Sequence, residues 1–237
     1  MKSPLDAYAF RARLLPALIS ATPLPIAIMT AYPGGLDLWT PLWTVLVACG
    51  ATTLLAELAR DGGKKKEAVL FQKWGGKPTT LRLRHRGAEN AARIERVHRR
   101  IASVQPELPL PSPELEVEHP LAADDRYDVA VAFLREHTRD RDRYPLVFEE
   151  LCSYGFRRNL WGLKPCGLLC CVIGLALSSA AVAASFQEML VVPCALLGVG
   201  VALQLVLALF WILGVTPEWV KPAAFSYADA LISTVEK

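Results

Sequence analysis

Long apolar stretches alternate with polar ones along the chain. Four windows are almost free of charged residues and contain 17, 21, 20 and 25 residues: Leu14–Thr30, Leu38–Leu58, Cys166–Ser185 and Val191–Val215. A helix needs about 20 apolar residues to cross the roughly 30 Å hydrocarbon layer of a bilayer. The pattern therefore predicts a mainly α membrane protein with four transmembrane helices.

The first window has a second interpretation. It follows a basic start of the chain, as the apolar region of a signal peptide does, and it contains Pro16, Pro23 and Pro25. No clear pair of small residues marks a cleavage site after it, however. We therefore expect a kinked membrane helix, in which neighbouring groups compensate for the backbone donors that the prolines lack.

Charge is concentrated in the middle of the chain. Residues 60–164 hold 21 of the 26 basic residues, whereas the connectors 31–37 and 186–190 hold none. Because basic loops stay in the cytoplasm, both termini and the middle segment are expected on the cytoplasmic side. The membrane is expected to be a bacterial inner membrane, which the chain crosses several times. This division predicts an N-terminal membrane hairpin (1–59), a basic cytoplasmic domain (60–164), and a C-terminal membrane hairpin with a cytoplasmic tail (165–237).

The cytoplasmic segment shows a mixed but mainly helical pattern. Leu81–Arg86 alternates apolar and basic residues, which predicts a short strand or extended segment. The apolar spacing in Asn90–Val104 and in Asp124–Thr138 predicts two amphipathic helices. Five prolines between residues 105 and 120 predict an extended connector. Leu146–Leu160 predicts a helix that leads to the membrane.

Twelve basic and three acidic residues lie between residues 64 and 100. Gly75 and Gly76, followed by Lys77, Pro78 and two threonines, suit a turn whose backbone N–H groups face a phosphate, although an ordinary structural turn is the alternative. The residues predicted to contact an anionic ligand are Lys73, Lys77, Thr79, Thr80, Arg82, Arg84, His85 and Arg86.

Other residues are candidates for gating and for lining a pore. Tyr154, Arg157, Arg158 and Trp161 lie just before the third window and are expected to transmit movement to it. Gln204 is the strongly polar side chain of the fourth window; it lines a pore or makes a hydrogen bond between helices.

The sequence gives little support to catalysis. The four histidines lack metal-site spacing, and no nucleophile or phosphate-transfer motif is present. We therefore expect no enzyme activity, no cofactor and no metal. A lipid-modifying enzyme remains a minor alternative, with Glu57, Glu149, Glu150 and Arg157 as its polar groups.

Several motifs resemble a family of small bacterial membrane proteins, among them the membrane effectors of Hailong-type phage-defence systems. The similarity covers about forty positions of the cytoplasmic segment. The motifs that carry it are residues 62–65, 74–80, 83–86 and 154–164, and the last of them, Tyr-Gly-Phe-Arg-Arg-Asn-Leu-Trp-Gly-Leu-Lys, is the specific one. The chain departs from the family at Gly87, where an acidic residue is usual. The resemblance implies an ion channel that answers a nucleotide signal from a nucleotidyltransferase partner.

Together these observations predict a homo-oligomeric inner-membrane effector in antiphage defence. It would be a ligand-gated ion channel or a membrane-disrupting protein, controlled through its basic domain by an anionic, nucleotide-type ligand, with no duplex nucleic acid expected. The alternative is a membrane anchor or scaffold that conducts nothing and recruits a cytoplasmic partner.

Overall fold

The computed structural model describes residues 7–31, 51–88, 90–108, 110–187 and 192–236, and within these ranges it is helical, with no strand. We number the helices α1 to α10 in chain order: Ala7–Ala31, Ala51–Trp74, Pro78–Leu81, Ala91–Val104, Pro113–Glu118, Pro120–His137, Pro145–Gly162, Lys164–Phe186, Cys194–Gly214 and Pro217–Ser233.

The chain forms two compact units. The membrane unit consists of Met1–Glu67 and Gly155–Val220, and the polar unit consists of Ala68–Tyr154 and Lys221–Lys237. Most of the predicted C-terminal cytoplasmic tail, Lys221–Lys237, therefore belongs to the polar unit, whereas residues 216–220 belong to the membrane unit.

Three described helices, α1, α8 and α9, are long and apolar enough to cross a membrane. They coincide with the first, third and fourth predicted windows, and α1 begins seven residues earlier than its window. Most of the second window, 38–58, lies outside the described residues; its last eight residues form the start of α2. A mainly α protein with three candidate membrane spans is thus established for the described part of the chain.

Small residues allow the spans to pack closely. The face of α8 formed by Gly174, Ser178 and Ala181 is buried, as the spacing of small residues favours. A Cβ atom at Gly174 would lie 2.7 Å from Nε2 of Gln204 on α9. That Nε2 donates a hydrogen bond of 2.6 Å to the carbonyl oxygen of Pro23 on α1.

A second close contact joins α2 and α7 within the membrane unit. A Cβ atom at Gly162 would lie 2.5 Å from the backbone of Gly62 and Gly63, so the two helices touch through their main chains. Beside this contact, the fully buried Asn159 donates a hydrogen bond of 2.6 Å to the carbonyl oxygen of Ala12 on α1. Three segments that are distant in sequence are therefore held together here.

The polar unit has its own apolar core. Leu83, Ile101, Tyr127 and Leu134 are fully buried. Both predicted amphipathic helices are confirmed, as α4 and α6. The side chain of Asn90 caps α4 by accepting a hydrogen bond of 3.0 Å from the backbone N–H of Arg93.

Two local predictions are wrong. Leu81 ends the short helix α3, and the residues after it form turns instead of a strand, because the alternating arginines are held by carboxylates from other helices. The proline-rich connector contains α5 and leads directly into α6. Pro113 and Pro120 each stand at the start of a helix, where the missing N–H group costs nothing.

Candidate anion-binding residues

The turn that follows α2 uses its N–H groups to end the helix. Gly75 and Gly76 have φ angles of +82° and +150°. Their N–H groups donate to the carbonyl oxygens of Gln72 at 3.3 Å and Phe71 at 2.8 Å. This is a glycine C-cap of the Schellman type. Because these donors already have partners, the structure favours the interpretation as a structural turn over a phosphate-binding loop.

Asp128 on α6 holds the residues that follow this turn. Its carboxylate pairs with the ammonium group of Lys77 and accepts a hydrogen bond of 2.7 Å from Oγ1 of Thr80. Thr79 and Thr80 are both buried, whereas Lys77 is half-exposed. Lys73 is exposed in the last turn of α2. Lys73 and Lys77 therefore each combine a cation with access to solvent.

Asp124, one helical turn before Asp128, binds two of the predicted arginines. Nε and Nη2 of Arg84 donate to its two carboxylate oxygens at 2.7 and 2.6 Å. Nη2 of Arg86 donates to the same oxygens at 2.8 and 2.9 Å. The Arg84 side chain is 13% exposed and that of Arg86 is 34% exposed. Charge-assisted pairs of this geometry are strong, and Arg84 is largely removed from solvent.

Glu116 lies beneath these arginines with 1% of its side chain exposed. It accepts hydrogen bonds from the hydroxyl of Tyr127 at 2.6 Å and from the backbone N–H groups of His85 at 2.8 Å and Arg86 at 3.1 Å. Burial by itself disfavours the charged carboxylate, but these hydrogen bonds outweigh it and lower the pKa of Glu116. Burial and the neighbouring Glu116 charge raise the pKa of Tyr127.

The imidazole of His85 meets that of a second, buried histidine. The ring centroids of His85 and His98 are 4.6 Å apart, edge to face. Nε2 of His98 lies 2.8 Å from the carbonyl oxygen of Leu83, so this nitrogen carries the proton. Burial, followed by the charge of His85, lowers the pKa of His98, although its bond to Leu83 and the charge of Glu116 oppose the shift.

Arg82 contacts the C-terminal helix α10. Its Nη2 donates to Asp229 at 3.0 Å, and its guanidinium group lies 5.1 Å from the ring centroid of Phe225. Like Lys77, Arg84 and Arg86, Arg82 therefore has a carboxylate partner in the same unit.

The predicted gating residues divide between the two units. Tyr154 belongs to the polar unit, where its ring stacks on that of Tyr227 at 6.3 Å. In the membrane unit, Arg157 donates to the carbonyl oxygen of Trp219 at 2.9 Å, and Arg158 pairs with Glu67 at 3.0 Å. Trp161 lies 4.9 Å from the ammonium group of Lys66, measured to its ring centroid.

Gln204 makes the hydrogen bond between helices that was one of its two predicted roles. Its side chain is completely buried among α1, α8 and α9. Within the described residues its Oε1 has no hydrogen-bond partner.

Sequence reasoning missed the acidic partners of this site. Each of these acidic residues, Glu116, Asp124 and Asp128, lies 30 to 51 residues after the basic residue that it contacts. One signal was present, since Asp124 and Asp128 are spaced to lie on one face of a helix. Which cations they meet depends on the tertiary fold.

Comparisons with known proteins return no protein family, no curated protein and no solved structure that matches this chain.

Proposed function

We propose that the protein is an oligomeric inner-membrane effector of bacterial antiphage defence, in which the polar unit receives an anionic, nucleotide-type signal and the membrane unit conducts ions. The observation that supports the proposal is that one chain contains both three candidate membrane spans and a cluster of cations around Asp124 and Asp128. The motif resemblance points to the same function.

The ion pairs suggest how such a signal acts. An oligonucleotide phosphate carries the same charge as the Asp124 and Asp128 carboxylates and competes with them for Arg86 and Lys77. These two cations have side chains 34% and 49% exposed, so a ligand reaches them without unfolding the unit. Binding by exchange removes the pairs of α6 with Lys77 and Arg86 and leaves those with Arg84 and Thr80, and this weakening of the contact couples ligand to conformation.

Conduction needs more than one subunit. The contact between α1, α8 and α9 is filled by Gln204 and packed against Gly174 and Pro23, which leaves the described centre of this bundle occupied by side chains. A conductive path between several copies of the chain, arranged around an axis, leaves the packing inside each copy unchanged and still lets ions cross.

The test uses the full-length protein in bacteria carrying a voltage-sensitive dye, with and without the nucleotide-producing partner. We expect trigger-dependent depolarisation in the wild type and its loss in Lys77→Gln/Arg86→Gln. The matched control is Arg99→Gln/Arg100→Gln, which removes two exposed cations of the same unit.

Arg84 is left intact in this test because its buried pair with Asp124 supports folding. Equal amounts of both variants in the membrane establish that each is made. A Lys77→Gln/Arg86→Gln protein that still depolarises cells on the trigger contradicts anion sensing at this cluster.

A non-conducting membrane anchor is the second candidate, and one observation favours it. Four of the predicted ligand cations are already neutralised by carboxylates, as in a stable structural core. This candidate predicts a steady membrane potential under every condition in which the protein remains functional, so the same dye measurement separates the two.

A further inference from the structure

A second group of cations lies in the membrane unit, outside the predicted ligand site. Lys64, Lys65 and Lys66 are consecutive on α2, and Lys164 is the first residue of α8. Among the described residues none of the four has a carboxylate partner. The nearby carboxylate of Glu67 pairs with Arg158 instead.

Lys164 marks the level at which two spans end. Its ammonium group donates to the carbonyl oxygens of Ile212 at 3.0 Å and Val215 at 2.9 Å, which lie at the C-terminal end of α9. The residue also begins α8, whose side chains Leu169 and Val172 are 60% and 65% exposed, as lipid-facing residues are. The lysine therefore lies at the boundary between apolar and polar surface.

Lys66 belongs to the same boundary. Its ammonium group lies 4.9 Å from the ring centroid of Trp161, a residue type that is enriched at the membrane interface. Burial, and next the positive charge of Lys164, lower the pKa of Lys66. The two ammonium groups are thus close enough to repel each other, and an anion between or beside them relieves that repulsion.

We propose that Lys66 and Lys164, with Lys64 and Lys65 beside them, bind the phosphate of an anionic phospholipid headgroup at the membrane interface. The apolar surface of α8 accommodates acyl chains, and the lysines supply the counter-charge. An exposed apolar face that begins at cations without a carboxylate partner among the described residues matches a phospholipid better than it matches a soluble anion. The proposal is independent of conduction and of the polar unit.

The experiment counts lipids retained by the detergent-solubilised full-length protein in native mass spectrometry, after equilibration with phosphatidylglycerol or phosphatidylcholine. We expect the wild type to retain phosphatidylglycerol preferentially. Each lysine near an anionic lipid contributes a several-fold preference, so Lys65→Gln/Lys66→Gln is expected to reduce that retention on the order of tenfold.

Two control variants make the result specific. Lys65→Arg/Lys66→Arg keeps both charges and is expected to retain the lipid, whereas Arg99→Gln/Arg100→Gln removes two exposed cations from the polar unit and is expected to change nothing. Lys164 is not replaced, because its hydrogen bonds hold the end of α9.

Three results would overturn the proposal. The first is equal retention of the two lipids, and the second is unchanged phosphatidylglycerol retention in Lys65→Gln/Lys66→Gln. The third is displacement of the lipid by millimolar inorganic phosphate, which would assign the lysines to a soluble anion.

Discussion

Two groups of cations, one in each unit, have opposite surroundings. In the polar unit, Arg84 and Arg86 share the carboxylate of Asp124, and Lys77 pairs with Asp128. In the membrane unit, Lys66 faces Lys164 and an aromatic ring, with no carboxylate among the described residues. All of these cations except Lys164 belong to one basic run in the sequence. The two groups therefore differ in the position of the carboxylates around them more than in the number of their cations.

The largest effect is expected from Asp124→Asn, which leaves two arginines without their shared counter-charge. Because Arg84 is largely buried, we expect the free energy of unfolding of the polar unit to fall by roughly 2–3 kcal/mol. Urea titration in detergent, followed by circular dichroism, measures this loss, since membrane helices stay folded inside the micelle. Asp125→Asn, at an exposed neighbour that has no ion pair among the described residues, is the control and is expected to stay within about 0.5 kcal/mol of wild type.

Equal stability of the two asparagine variants would show that the arginine cluster does not hold the polar unit together. The two groups of cations would then differ in their carboxylate neighbours but not in their contribution to stability.

The membrane unit is expected to depend on close backbone contact instead. In Gly162→Ala the new Cβ would meet the backbone of Gly62 and Gly63, and neither atom is the end of a flexible side chain. We expect a loss of roughly 1–3 kcal/mol, seen as faster hydrogen exchange in residues 51–67 by mass spectrometry. Gly198→Ala is the control, because a Cβ there meets no atom of the described residues within 4 Å.

Slower or unchanged exchange in Gly162→Ala, with Gly198→Ala behaving as wild type, would contradict a tight crossing of α2 and α7.

The sequence predicted the helices far better than it predicted their charge contacts. The spacing of Val97 and Ile101 specifies α4, and the apolar windows specify α1, α8 and α9, because burial of one face is a local property of the pattern. The predicted strand at Leu81–Arg86 is wrong because alternation alone does not show what the arginines contact. Their partners Asp124 and Glu116 are distant in sequence and are brought next to the arginines only by the tertiary fold.

A similar limit applies to the candidate site itself. Lys77, Thr80, Arg84 and Arg86 lie together because they are close along the chain, and their contact with an anionic ligand stays a prediction. That their charge is neutralised depends on α5 and α6. The lysines of the membrane unit are evident in the sequence. That they belong to a different unit from the arginines is not, because the boundary between the units falls inside the continuous helix α2.

The lysine cluster is expected to contribute little to folding. Lys66→Gln removes a repelling charge beside Lys164 and also one cation–π contact, so the two effects oppose each other. We expect the stability of the membrane unit in uncharged detergent to stay within about 0.5 kcal/mol of wild type, by the same exchange measurement. A large destabilisation would mean that Lys66 is a structural cation, like Arg84, and would remove the contrast between the two clusters.

The smallest expected effect is a pH dependence confined to the polar unit. The pKa of His98 is lowered in the folded protein, mainly by burial, so the unfolded chain binds a proton more readily. The free energy of unfolding is therefore not reduced by His98 above pH 6.5, the ordinary pKa of histidine, and it decreases as the pH falls below that value. His98→Gln retains a donor for the carbonyl oxygen of Leu83 without titrating between pH 7.5 and 5.5. Its urea midpoint is therefore expected to decline less over this interval than that of wild type, and His85→Gln is expected to be intermediate because it removes only the neighbouring charge. The window lies above the range in which Glu116, with its lowered pKa, takes up a proton. A decline in His98→Gln as steep as in wild type would assign the acid sensitivity to another group.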